Sequence, residues 1–135
     1  VVKSVYQAEE AFLGAYTAID GKESPAYSES ASADMGMCVT GLGGSADNWL
    51  EWRNVYSRGG KGVITLRYAG KVPSDVIVSV NGTDVQTFKE LVTGASIDCW
   101  KENVSVTVEL AKGLNTIRLH NPGGPMPAID RMVIR

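Results

Sequence analysis

From Val104 to Leu110 every second residue is apolar: Val104, Val106, Val108 and Leu110 alternate with Ser105, Thr107 and Glu109. Successive side chains of a strand point to opposite faces. This rhythm therefore describes a ribbon buried on one face and solvated on the other, as in an antiparallel sheet. The pattern recurs: Ile64, Leu66 and Tyr68 share one face against Thr65 and Arg67. Leu50 and Trp52 alternate with Glu51 and Arg53 before Val55. Val76 to Val80 is a largely β-branched run that ends in Asn81-Gly82. Asn-Gly favours a type I′ hairpin, in which both central residues take positive φ, so Thr83 to Phe88 is expected as the partner strand. Thr116 to His120 and Ile129 to Ile134 are further expected strands, and Leu110 to Asn115 and Gly59 to Gly62 expected turns.

One weak helical candidate, Ala8 to Tyr16, contains a glycine and two large aromatics. Residues 20 to 36 are small and polar and read as one long loop. Loops of that length are uncommon in compact domains and often functional. Fifteen glycines and five prolines punctuate the rest, which fits many short strands joined by turns. The expected fold is all-β, a β-sandwich (jelly roll) of two antiparallel sheets.

At 135 residues the chain is one domain's worth. Residues 1–5 are expected to be the end of a linker and 6–135 a single module. The chain begins at Val1 with no basic and apolar leader, as expected of a mature form or a fragment. A formal charge of -2 argues against a nucleic-acid partner, and no apolar run approaches the ~20 residues of a membrane-spanning helix. His120 is the one histidine, so a Ser-His-Asp set would have to pass through it. Gly59 to Gly62 lacks the spacing of a P-loop.

Several segments, taken in order, resemble carbohydrate-binding modules of families 6 and 35. They are Tyr6–Leu13 (YQAEEAFL), Cys38–Gly44 (CVTGLGG), Asp47–Trp52 (DNWLEW), Gly62–Ala69 (GVITLRYA) and Val78–Gly82 (VSVNG). Val106–Leu110 with Gly113–Ile117, and Asn121–Gly124 with Ile129–Arg131, complete the series. The last segment is closer to family 35 and to the C-terminal modules of α-galactosidase-like enzymes. The resemblance implies a non-catalytic, monomeric, sugar-binding sandwich, appended to a secreted glycoside hydrolase in the same parent chain. The expected ligands are galactosides, uronic-acid-bearing glycans or other plant or host polysaccharides. The alternative is a structural or adhesion module of the same fold without a working sugar site.

The resemblance also implies a structural calcium ion. Its ligands map onto Gln7, Glu9 and Asp130, with backbone carbonyls from the loop near Ser30. Residues two apart on a strand face the same way, so Gln7 and Glu9 would meet Asp130 if the first and last strands pair. An amide oxygen, two carboxylates and carbonyls form a hard-oxygen set that suits calcium. Glu10 would point away.

Sugars are bound by stacking their C–H faces on aromatic rings while amides and charged groups bond the hydroxyls. The resemblance maps the stacking tryptophan onto Trp100 and the asparagine onto Asn121, on loops at one end of the sandwich. Where the family carries a further aromatic, this chain has Cys38. Tyr27 and Trp49 are the candidates to replace it, and His120 adjoins Asn121. Trp49 would face away from the core if Leu50 faces it, and Trp52 would be core. The arginine that many family 35 members carry near Ser74-Asp75 is absent. Cys38 and Cys99, both expected beside this site, allow one disulfide or two free thiols.

Overall fold

A computed structural model describes residues 3–15 and 25–135. Nine strands account for most of it: β1 (Val5–Gln7), β2 (Phe12–Leu13), β3 (Ala26–Glu29), β4 (Met37–Thr40), β5 (Trp49–Ala69), β6 (Ser74–Val80), β7 (Thr83–Leu91), β8 (Lys101–His120) and β9 (Ala128–Ile134). All the pairings are antiparallel. The hydrogen-bonded path runs β3-β4-β9-β5-β8-β6-β7, with β1 added to β9 and β2 to β5.

Two long strands turn this path into a sandwich. β5 and β8 pair from Trp49↔His120 to Tyr68↔Lys101, apart from two register shifts. Their middles hold Gly59, Gly60 and Gly113 at φ of 94°, 99° and 101°, values that side chains with a Cβ rarely adopt. The ribbon bends there. One half of β5 joins β9 in the first sheet, and the other half, with β8, carries β6 and β7 in the second.

The two glycine-containing stretches expected as turns, Gly59 to Gly62 and Leu110 to Asn115, are thus corners inside continuous strands. Buried Asn115 secures this corner. Its Nδ2 donates to the carbonyls of Val55, Ala111 and Gly113, and its Oδ1 accepts from the Ala111 N–H and from Asn81 Nδ2.

The alternation holds. Ile64, Leu66, Leu50, Ile117, Leu119, Ile129 and Met132 are fully buried between the sheets, each contributing about 1.5–3 kcal/mol by leaving water. Trp52 is core, as expected, and donates its indole N–H to the Gln7 carbonyl. Asn81 and Gly82, at φ 50° and 86°, close the β6–β7 hairpin.

Three expectations are corrected. The helical candidate is a 3-10 turn, Ala8–Glu10, followed by β2; Tyr16 lies outside the described residues. Pairing of Phe12 and Leu13 with Glu51 and Leu50 of β5 holds the chain extended and overrides its helical propensity. The expected loop over residues 20 to 36 contains β3, paired with β4 through Ser28↔Cys38; its positions 20 to 24 lie outside the described residues. Val5, expected within a linker, belongs to β1: it pairs with Val133, and the Ser4 carbonyl accepts the Ile134 N–H. Val1 and Val2 are outside the described residues.

Candidate functional site

The first cluster lies where β1 meets β9. Gln7 ends β1 opposite Arg131, so the first and last strands pair. Glu9 is carried by the 3-10 turn rather than by a strand, a correction to the same-face argument. Asp130 is fully buried in β9. Three side-chain oxygens here are buried and accept no hydrogen bond: Gln7 Oε1, Glu9 Oε1 and Asp130 Oδ1. These belong to the three residues expected to bind a cation through their side chains. An unpaired buried acceptor is costly, and a buried unpaired carboxylate more so.

The rest of each group is well held. Gln7 Nε2 donates to Asp34 Oδ2 (2.6 Å), and the Asp34 N–H donates to Asp130 Oδ2 (2.9 Å). Arg67 Nε lies 3.4 Å from Asp130 Oδ2. Burial raises the pKa of Glu9 and of Asp130, and each group's carboxylate neighbours add to the rise. Glu10 points away, accepting from the Gln7 N–H and pairing with Lys3.

Among the described residues no three His, Cys, Asp or Glu side chains form a ready-made metal cluster. The orphaned set is one amide and two carboxylates, so a cation held there would need carbonyls to complete its shell. The buried Ser30 turns its hydroxyl away, to the Ile97 carbonyl. Its own carbonyl accepts one N–H, from Ala33, and keeps a second lone pair. Asp34, which the sequence reading missed, is the loop residue that bonds both Gln7 and Asp130. The donor set is all oxygen, which fits calcium.

The residues expected at the sugar site fall in four places. Trp100 ends the loop before β8, half-buried, with Nε1 donating to Ser32 Oγ (3.1 Å) and Arg67 6.0 Å from its ring. That same Arg67 faces Asp130, so ring and carboxylate share a neighbour. Asn121 lies at the loop end of the sandwich, where its Nδ2 donates to the Pro125 carbonyl (3.0 Å) and its carbonyl accepts the Gly44 N–H. A hollow of about 780 Å³ opens beside it, lined by Ala15, Leu42, Ser45, Asp47, Asn48 and Met126 among others. Asp47, read in the sequence only as part of a motif, offers a carboxylate there. Tyr27 sits exposed on β3.

Trp49 and His120 are directly paired across β5 and β8. Trp49 packs against Arg118 (4.3 Å from the ring) and Arg53 (5.9 Å), and Glu51 bonds both guanidinium groups. His120 Nε2 lies 3.0 Å from Ser79 Oγ and 2.9 Å from Asp84 Oδ1, and Ser79 also donates to Asp84 directly. Serine and aspartate therefore share one ring nitrogen. A catalytic triad needs them on opposite nitrogens, so this trio cannot relay a proton from serine.

Cys38 is corrected. It is fully buried and so offers no wall to a sugar, and burial together with the nearby Asp130 and Glu9 pushes its thiol up to about 11. Cys99 is exposed, and the two are separate free thiols.

No family model and no curated protein matches the chain. Solved structures do. A family 35 carbohydrate-binding module from Clostridium thermocellum is 26% identical, with a TM-score of 0.82 over 96% of both chains. A CBM35 from Paenibacillus barcinonensis is 21% identical, with a TM-score of 0.78 over 98% of both. An exo-β-1,3-galactanase from Phanerochaete chrysosporium, solved with galactose, matches the whole chain with 30% of its own length, at 22% identity and a TM-score of 0.80. The two structures matched end to end are themselves carbohydrate-binding modules. The sandwich, its ordered motifs and these likenesses together give this chain the fold of the family 35 carbohydrate-binding modules.

Proposed function

We propose that the chain is a non-catalytic carbohydrate-binding module that holds a structural calcium ion and takes a glycan on the loops at one end. The observation that carries the reading is the end-to-end likeness to a family 35 module. The calcium rests on the three orphaned oxygens of Gln7, Glu9 and Asp130. They would bind the ion with carbonyls from the loop at Ser30, and the ion would neutralise two buried carboxylates and fix the N-terminal turn to β9. Trp100 supplies a stacking face. Asn121, Asp47 and the Gly43–Gly44 backbone supply polar contacts around the hollow. Trp49 and His120 flank Asp47 and Asn121 in sequence, and with Tyr27 they are the candidates for contact with further sugar units.

The module serves a secreted glycoside hydrolase, an arrangement supported by the galactanase, in which a similar domain forms under a third of the chain. Binding to a panel of galactosides, uronic acids, xylan and mannan, with calcium present, tests the function. Binding to one class that Trp100→Ala weakens about tenfold or more, at unchanged melting temperature, supports it; about 1–3 kcal/mol per stacked ring is the comparable scale for base stacking. No binding to any glycan favours the adhesion or structural alternative.

A further inference from the structure

The sandwich end remote from the sugar loops carries an excess of positive charge among the described residues. At the β5–β8 corner Tyr56 pairs with Leu114, and two residues on, Arg58 pairs with Lys112. All four are exposed and stand in neighbouring cross-strand pairs, so they form one patch. Tyr56 and Leu114 are 46% and 65% exposed, unusual for an aromatic and an aliphatic side by side. Like charges directly opposed across an antiparallel pair destabilise the sheet. Arg58 and Lys112 are such a pair, in a chain whose formal charge is -2.

A groove of about 290 Å³ adjoins the patch, lined by Lys3, Tyr6, Tyr56, Arg58, Lys61 and Arg135 among others, and by no aspartate or glutamate. Lys3 pairs with Glu10. Arg58, Lys61, Lys112 and Arg135 form no ion pair among the described residues. Glu109 faces Lys61 across the ladder without forming one.

We propose that this corner is a second binding site, for a polysaccharide bearing oxyanions (carboxylate or sulfate). Tyr56 and Leu114 give a sugar ring an apolar platform. The rise over two residues, about 6.8 Å, sets Arg58 and Lys112 one step along to receive the ring's charged substituent. The Arg58 guanidinium bonds an oxyanion through two N–H groups, and Lys112 adds a point charge. Bound anion relieves the repulsion that the free protein carries. The site shares no residue with Trp100, Asn121 or the calcium cage.

The test uses the whole chain with three probes: polygalacturonate for carboxylate, dextran sulfate for sulfate, and uncharged dextran. Affinity electrophoresis should show retardation by one or both polyanions and none by dextran, weakening as salt screens the contact. Which polyanion retards the chain identifies the oxyanion. The double variant R58Q/K112Q should lose retardation at least tenfold, while Trp100→Ala keeps it, which separates this site from the loop site. Removing the repulsion should raise the variant's melting temperature by about 1–4 °C, so lost binding will not reflect unfolding. Tyr56→Ala, which leaves every charge in place, should weaken binding as well. Absence of retardation by both polyanions at low salt, or full retention by R58Q/K112Q, overturns the proposal.

Discussion

Removing calcium from the chain should lower its melting temperature by a margin the orphaned oxygens allow one to work out. Gln7 Oε1, Glu9 Oε1 and Asp130 Oδ1 are buried without partners. Each such acceptor costs about 1–3 kcal/mol, and more when charged, so satisfying all three is worth several kcal/mol. By mass action, an ion present at a thousand times its dissociation constant adds about 4 kcal/mol. For a domain of this length about 3–4 °C accompanies each kcal/mol, so the midpoint should rise by about 12–16 °C from EDTA to saturating calcium.

Scanning calorimetry in EDTA and across a calcium titration measures this. Magnesium should give a smaller rise at equal concentration, because it demands a tighter octahedron and keeps its waters. Asp130→Asn should abolish the response, whereas Glu10→Gln, on the exposed Lys3 pair, should keep it. Equal midpoints in EDTA and calcium, within about 1 °C, would refute the assignment. So would a full response in Asp130→Asn.

Other outcomes follow from single residues. Asn115→Ala strips five hydrogen bonds from the buried corner and should cost about 3–5 kcal/mol in urea unfolding; a loss under about 1 kcal/mol would mean the corner needs no such support. Native protein should present one thiol to a disulfide reagent at pH 8, Cys99, and two in denaturant, because the Cys38 thiol is buried and protonated; two fast thiols in the native state would contradict that burial. Ser79 and His120 hold Asp84 below the usual carboxylate range. Its bonds therefore add stability above about pH 4 that is lost as pH falls through the depressed value, and Asp84→Asn should flatten that part of the stability profile. A profile unchanged by Asp84→Asn would remove the carboxylate from the account.

Much of the fold was legible because burial on one face prints itself on every second residue, as in Ile64-Leu66-Tyr68 and Val104 to Leu110. The corners were not. A glycine that bends a continuous strand and a glycine that ends one look alike in sequence, and Gly59-Gly60 and Gly113 are of the first kind. The side-chain oxygens of Gln7, Glu9 and Asp130 were legible through the family pattern, and the strand pairing that brings them together follows from β1 meeting β9. Asp34 was hidden inside a polar stretch with no periodicity. The expected sugar contacts scatter because position along a strand does not tell which way a loop carries a side chain. Trp100 turns toward Ser32, while Trp49 stays on the outer face with Arg118. Cys38 occupies an inward position whose depth only the packing of β4 against β9 reveals.

The bent strands β5 and β8 carry a further consequence, for how the molecule comes apart. Each belongs to both layers, so neither sheet can peel off while the other persists. Opening one half strains a ladder that continues unbroken around the corner into the other. Unfolding should therefore be a single cooperative event, with the most protected amide protons of both sheets reporting one common opening free energy. The ladder's first pairing, Trp49 with His120, joins residues separated by more than half the chain. Pairings of such long range dominate the fold and make refolding slow, on the millisecond-to-second scale of β-sandwiches.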